Sequence, residues 1–136
     1  MSDEKVLKID ADLDRLQDVL AFVDGLLEAH DCPMKTQMLI DISVEELFVN
    51  IAHYAYPDGN GWAEIRAGVE DGVFSITLTD GGIPFNPLER VDPDVTLSAE
   101  EREIGGLGIF MVRKKMDEML YSYEDSHNIL TIRKRL

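Results

Sequence analysis

Glu46 and Asn50 stand four residues apart in EELFVN, inside a run whose apolar residues keep helical spacing. Residues at i and i+4 share a helix face. That face borders the stripe of Leu47, Phe48 and Ile51, while Glu45 lies about 100° further round, toward solvent. An Asn carbonyl is the kind of oxygen that a hard cation such as Mg²⁺ takes beside phosphate oxygens and water. A neighbouring Glu can order or deprotonate a nucleophile. The plainer reading of the pair is a solvated helix flank with a hydrogen-bonded Asn.

Asp80 breaks a different pattern. In VFSITLTD it shares strand parity with Phe74, Ile76 and Leu78, so it falls on the apolar face. A carboxylate is costly to bury unless something pairs with it. It either caps the turn into GGIP or accepts from a ligand donor such as an exocyclic amine. A third feature is EIGGLGIF, where Gly105, Gly106 and Gly108 precede an apolar, helix-like run. These glycines either turn a loop tightly into a helix or offer backbone N–H groups to a phosphate at a helix N-terminus. The cluster lacks the Gly-Lys-Ser/Thr ending of a P-loop and the early strand–GxGxxG–helix order of a dinucleotide fold. Without that lysine, a phosphate site depends on a metal and on the helix dipole. Asn50 and the helix after Gly108 are the two sources.

The elements that must position these residues follow from periodicity. EKVLKI at 4–9 reads as a first strand. From Asp12 the spacing is helical, with a stripe of Leu13, Leu16, Leu20, Val23 and Leu27 and a cap at Asp10 or Asp12. Pro33 suits the first turn of a second helix, whose stripe runs Ile40, Val44, Leu47, Phe48, Ile51 and Ala55. This helix should end before Pro57. Strands follow at 62–69 and 73–80, joined at Asp71-Gly72, a strong two-residue hairpin signal. Residues 81–105 are a long aperiodic connection, and a connection of that length usually serves a function or is disordered. A helix at 107–116 and strands at 119–124 and 129–135 complete the chain. The pattern predicts an α+β, two-layer sandwich: a mixed, mainly antiparallel sheet with helices on one face.

Composition narrows the function. The chain has 136 residues, 45% of them apolar and 29% charged, which fits one globular domain spanning 1–136. Its net charge of −14 and lack of a basic patch argue against direct nucleic-acid binding. No apolar run has the length of a membrane span. The single Cys32 fits a reducing, cytoplasmic setting, and the acidic N-terminus does not read as a signal peptide. No His or Cys set has zinc spacing, and no serine lies in a nucleophile motif.

Together, EELFVNIAHYAYPDG, DGGIPFNP and GGLGIFMVRKKMDE resemble the GHKL ATP-binding fold shared by gyrase, Hsp90, histidine kinases and MutL. Within that fold, the chain is similar to the small stand-alone anti-sigma factor serine/threonine kinases. The resemblance spans about residues 5–135. It implies ATP and Mg²⁺ as cofactors, with Asn50 as metal ligand and Glu46 as general base. Asp80 would accept from the adenine amino group, and Gly82 would let the backbone approach the base. A lid over the phosphates would run from about residue 86 to 105, with Arg102 the nearest cation. Gly106, Leu107 and Gly108 would close the lid at a helix N-terminus. Three positions depart from the family pattern. Tyr54 stands where a histidine is frequent, Glu103-Ile104 where an arginine often precedes the glycines, and Asn128-Ile129 where Gly-Thr often enters the last strand. The implied function is an anti-sigma factor that phosphorylates an anti-anti-sigma (STAS-type) partner, with a homodimer expected at family level. The alternative is a catalytically silent, nucleotide-gated protein-binding module.

Overall fold

Alternating residues build the sheet, and turn chemistry sets its order. The structure, a computed structural model, describes residues 4–89 and 106–136. Among these, β1 (Lys5–Asp10), β2 (Trp62–Glu70), β3 (Val73–Asp80), β4 (Glu118–Glu124) and β5 (His127–Arg135) form one five-stranded sheet in the order β1-β2-β3-β5-β4. Every pairing is antiparallel. Asp71 and Gly72 join β2 to β3 with φ of +54° and +76°, the left-handed pair of a primed hairpin turn. The β4–β5 hairpin makes the same kind of turn without glycine, at Asp125 (φ +52°) and Ser126 (φ +63°). β5 therefore starts at His127 rather than at the expected Ile129, and Asn128 lies inside the strand.

The helices α1 (Leu16–Ala29), α2 (Met34–Asn50) and α3 (Gly106–Lys115) cover one face of the sheet. Asp12 caps a short 3-10 turn at Leu13–Arg15, its side chain accepting from the Asp14 N–H at 2.9 Å. That turn winds with three residues rather than 3.6 and breaks the phase of the expected stripe. Leu13 ends up exposed and Leu16 and Leu20 are only partly buried, while Val23 and Leu27 are buried as expected and Val19 and Leu26 join them. Pro33 precedes α2 rather than opening it, and its carbonyl accepts from the Gln37 N–H at 2.9 Å. α2 buries Ile40, Val44, Leu47 and Phe48. The helix then continues as a π-turn, Ile51–Ala55, which keeps Ile51 and Ala55 buried.

The core lies between the layers, with Val23, Phe48, Ile65, Phe74, Ile76 and Ile132 fully buried. Each such side chain contributes roughly 1.5–3 kcal/mol relative to exposure. The opposite face of the sheet is polar. Thr77 and Thr131 hydrogen-bond there across β3 and β5 at 2.8 Å, so Thr131 points away from the helices. Among the described residues, no helix is long and apolar enough to cross a membrane.

Candidate functional site

Strand parity carries Asp80, the last residue of β3, under the helices, where it is only 3% exposed. Its Oδ1 accepts from the Gly82 N–H and from Asn128 Nδ2, both at 2.9 Å. Oδ2 receives no donor among the described residues. Burial pushes the Asp80 carboxyl above its ordinary pKa, while the two hydrogen bonds and the nearby His127 work the other way. The result is a desolvated acceptor with one oxygen held by the protein and the other left for a donor.

Asn50 closes α2 and is 7% exposed. Its Nδ2 donates to Glu46 Oε1 at 3.4 Å, one turn back. The amide oxygen is thereby turned away from Glu46 and suits a hard cation. Across from them, Gly108 lies in the first turn of α3. A Cβ there would overlap the carboxylate of Glu46, touching Cδ and both oxygens. The absent side chain is what lets the N-terminal turn of α3 rest against Glu46. A helix N-terminus carries partial positive charge and favours anions close to it.

The π-turn after Asn50 shapes the other wall. Such turns insert one extra residue and recur at functional sites. Here the Ala55 carbonyl accepts from the Ile83 N–H at 2.8 Å. A Cβ at Gly82 would overlap the Ala55 backbone. Gly82 thus docks the DGGIP segment onto the end of the helix; its close neighbour is protein backbone.

Between these walls runs a cleft lined by Leu47, Asn50, Ile51, Leu78, Asp80, Phe85, Ile109, Tyr121 and Asn128. Most of the lining is apolar, with Asp80 and Asn50 as polar markers, the usual make-up of a small-molecule site. The enclosed part holds about 30 Å³, room for a water or two. Phe85 stacks on Tyr54 with ring centroids 5.7 Å apart and crowds the cleft together with Pro87. The 83–87 segment thus bounds the cleft on that side. Glu46 and Gly108 line an adjoining groove between α2 and α3, tied to the cleft through the Asn50–Glu46 bond.

The fold therefore gathers Asp80, Asn50, Glu46, Gly82 and Gly108 along α2, the end of β3 and the start of α3. Gly106 and Leu107 open α3. Arg102 and the expected lid from residue 90 to 105 lie outside the described residues. One polar residue at the centre of the cleft was not among those expected. Asn128 is 5% exposed and touches Asp80 directly. Its signal was parity, since it alternates with Leu130 and Ile132, both buried.

Comparison with known proteins shows the family and the fold. Residues 9–134 match the histidine kinase-like ATPase domain family. The anti-sigma F factor of Geobacillus kaustophilus (strain HTA426) is 30% identical over 107 residues, covering 78% of this chain and 70% of that protein. The crystal structure of the RsbU and RsbW domains of Rv1364c from Mycobacterium tuberculosis superposes with a TM-score of 0.68 at 16% identity, over 98% of this chain. This chain spans 32% of that longer one, and the likeness concerns the fold. The chain therefore belongs to the histidine kinase-like ATPase family, on the branch that holds anti-sigma factors.

Proposed function

We propose that residues 1–136 act as one Mg-ATP-binding unit that restrains a sigma factor and phosphorylates a serine or threonine of an anti-anti-sigma partner. The observation that carries this reading is Asp80, a buried carboxylate with one oxygen that takes no donor among the described residues, on a mostly apolar cleft. Such a group suits the exocyclic amine of adenine. At the other end of the cleft, Asn50 has its amide oxygen available to a metal, and Glu46 lies within reach of the same region. Mg²⁺, when bound with the triphosphate, supplies charge neutralisation for phosphoryl transfer. In that reaction the partner's hydroxyl oxygen bonds to the γ-phosphorus, its proton passes to Glu46, and ADP leaves. The start of α3 adds N–H groups and a positive dipole end on the phosphate side. The sigma-factor partner is supported by the name of the anti-sigma F factor relative; the anti-anti-sigma partner and a homodimer rest on the family resemblance.

The test has two steps. Calorimetric titration with Mg-ATP should give binding for the wild type, weakened by about tenfold or more in Asp80→Asn and Asn50→Ala, as expected when a buried polar partner is removed. Equal binding by all three would place the nucleotide elsewhere. Incubation with γ-labelled ATP and an anti-anti-sigma (STAS-type) protein from the same source should then label that protein. ATP binding without transfer would favour the second reading, a nucleotide-gated binding module. One sequence feature favours that alternative: EIGGLG carries Glu103 and Ile104, not a cation, just before the glycines. Wild-type and Glu46→Gln proteins that regulate the partner equally would decide for it.

A further inference from the structure

Asn128 has a claim on the cleft that its position in the sequence conceals. Its Nδ2 donates to Asp80 Oδ1 at 2.9 Å and to the Ile83 carbonyl at 2.8 Å. Its Oδ1 accepts from the Phe85 N–H at 3.0 Å and from the Tyr121 hydroxyl. Both donors and both lone pairs of one primary amide are therefore used. The opposite amide orientation would turn an oxygen toward the Asp80 carboxylate and an NH₂ group toward the Phe85 N–H, so the network fixes it. One side chain on β5 thus joins the end of β3, the 83–85 segment and β4. Two of those parts, Asp80 and Phe85, are walls of the cleft.

The consequence for Asp80 is directional. With Asn128 and the Gly82 N–H both on Oδ1, rotation of the carboxylate is blocked and Oδ2 is the oxygen left for a ligand. A donor from Asn128 also favours the ionised carboxylate, the form that can only accept. Resting on the nucleotide reading above, we infer that Asn128 is a positioning residue for base selection: it aims Asp80 Oδ2 so that a 6-amino purine is accepted and a 6-oxo purine is refused. A 6-oxo group presents an acceptor to a carboxylate that cannot donate, and two facing acceptors exclude each other.

Calorimetry with Mg-ATP and Mg-ITP, which differ at the 6-position of the base, tests this. The wild type should prefer ATP by about tenfold or more, the discrimination expected of a site built to hydrogen-bond one group. Asn128→Ala should bring the ATP-to-ITP ratio close to one, mainly by losing ATP affinity. Asp80→Asn combined with Asn128→Ala should lose little more ATP affinity than either change alone, because the two act as one unit. If Asn128→Ala does not fold, Asn128→Asp carries the test. It keeps the two acceptor bonds, removes the donors to Asp80 and to the Ile83 carbonyl, and should also collapse the ratio. A folded variant that loses both nucleotides equally and keeps the wild-type ratio would mean that Asn128 only holds the fold, and the proposal would fall. A wild type that binds neither nucleotide would sink the nucleotide reading itself, a result distinct from preserved discrimination in the variants.

Discussion

Gly108 is the residue where local cost and function separate most cleanly. Its missing Cβ leaves space that the Glu46 carboxylate fills. A methyl group there would push against the far end of a flexible side chain, which can swing aside at little cost. Alanine also favours a helix by about 1 kcal/mol over glycine. Gly108→Ala should therefore fold with a melting temperature equal to or above that of the wild type. Glu46 would be displaced from Asn50, and a displacement of about 1 Å can cost on the order of a hundredfold in rate. Phosphoryl transfer to the partner should drop by at least about tenfold while the protein stays folded. Labelled-ATP assays beside thermal melts check both halves, and a variant with full transfer would show that Glu46 does not need its present place. The glycine's position was legible in EIGGLG, but its reason was not. The pattern suggested phosphate contact or a tight turn; the structure adds a carboxylate from another helix, a contact that no spacing rule within one segment can reveal.

At the scale of elements, the site depends on how the DGGIP segment is moored. Three ties moor it to the end of the helix: Gly82 packed on the Ala55 backbone, the Ile83 N–H on the Ala55 carbonyl, and the Tyr56 hydroxyl; Asn128 holds the Ile83 carbonyl from the side of β5. That hydroxyl accepts from the Gly81 N–H at 2.7 Å and donates to the Trp62 carbonyl at 2.6 Å. Backbone cannot yield as a side-chain tip does, so Gly82→Ala should destabilise by roughly 1–3 kcal/mol, the usual cost of overpacking. Urea unfolding checks this, and an unchanged midpoint would mean that the segment is not docked on the helix end. The single Trp62 offers a second readout, since its indole lies 3.1 Å from the place where a Cβ on Gly81 would be. Mg-ATP should shift its emission if the 83–87 segment moves out to admit a base; a silent indole at saturation would speak against that movement. Much at this level was readable in advance. The β2–β3 hairpin announced itself by Asp71-Gly72, and the α2 stripe by its spacing. The β4–β5 hairpin did not, because Ser126 takes a left-handed conformation rare for a residue with a side chain. Losing that turn shortened β5 by two residues and hid the inward parity of Asn128. The π-turn was equally hidden, since IAHYA fits a helical period as well as the residues before it.

The whole molecule carries a net charge of −14, and part of that charge is concentrated where α1 meets α2. Gln37 Nε2 donates to Asp24 Oδ1 at 3.1 Å and to Glu28 Oε2 at 3.3 Å. Asp41 packs beside them with Oδ1 buried and unpartnered among the described residues. Burial, then the hydrogen bond with Asp24, then the charges of Asp24, Glu28 and Glu45 push the Asp41 carboxyl up to about 7 from its ordinary 3.8. Between those two values the folded chain holds a proton that the unfolded chain has released. Stability from this group is therefore complete below about pH 3.8 and is lost as the pH rises from there through about 7. Asn mimics the protonated acid: it is neutral and can still donate to Asp24. Asp41→Asn should thus change little near pH 4 and raise the urea midpoint most at pH 8, where the wild type must hold two adjacent carboxylates ionised. Removing one negative charge also relieves general self-repulsion. Asp58→Asn, in the exposed turn after Pro57, makes the same change of net charge away from the helix seam and serves as control. A gain at pH 8 in Asp41→Asn alone locates the proton at the α1–α2 seam, and equal gains in both variants would assign the effect to net charge. Mg-ATP affinity should be the same in Asp41→Asn as in the wild type, because Asn50 and Glu46 lie further along α2 and take no bond from this cluster.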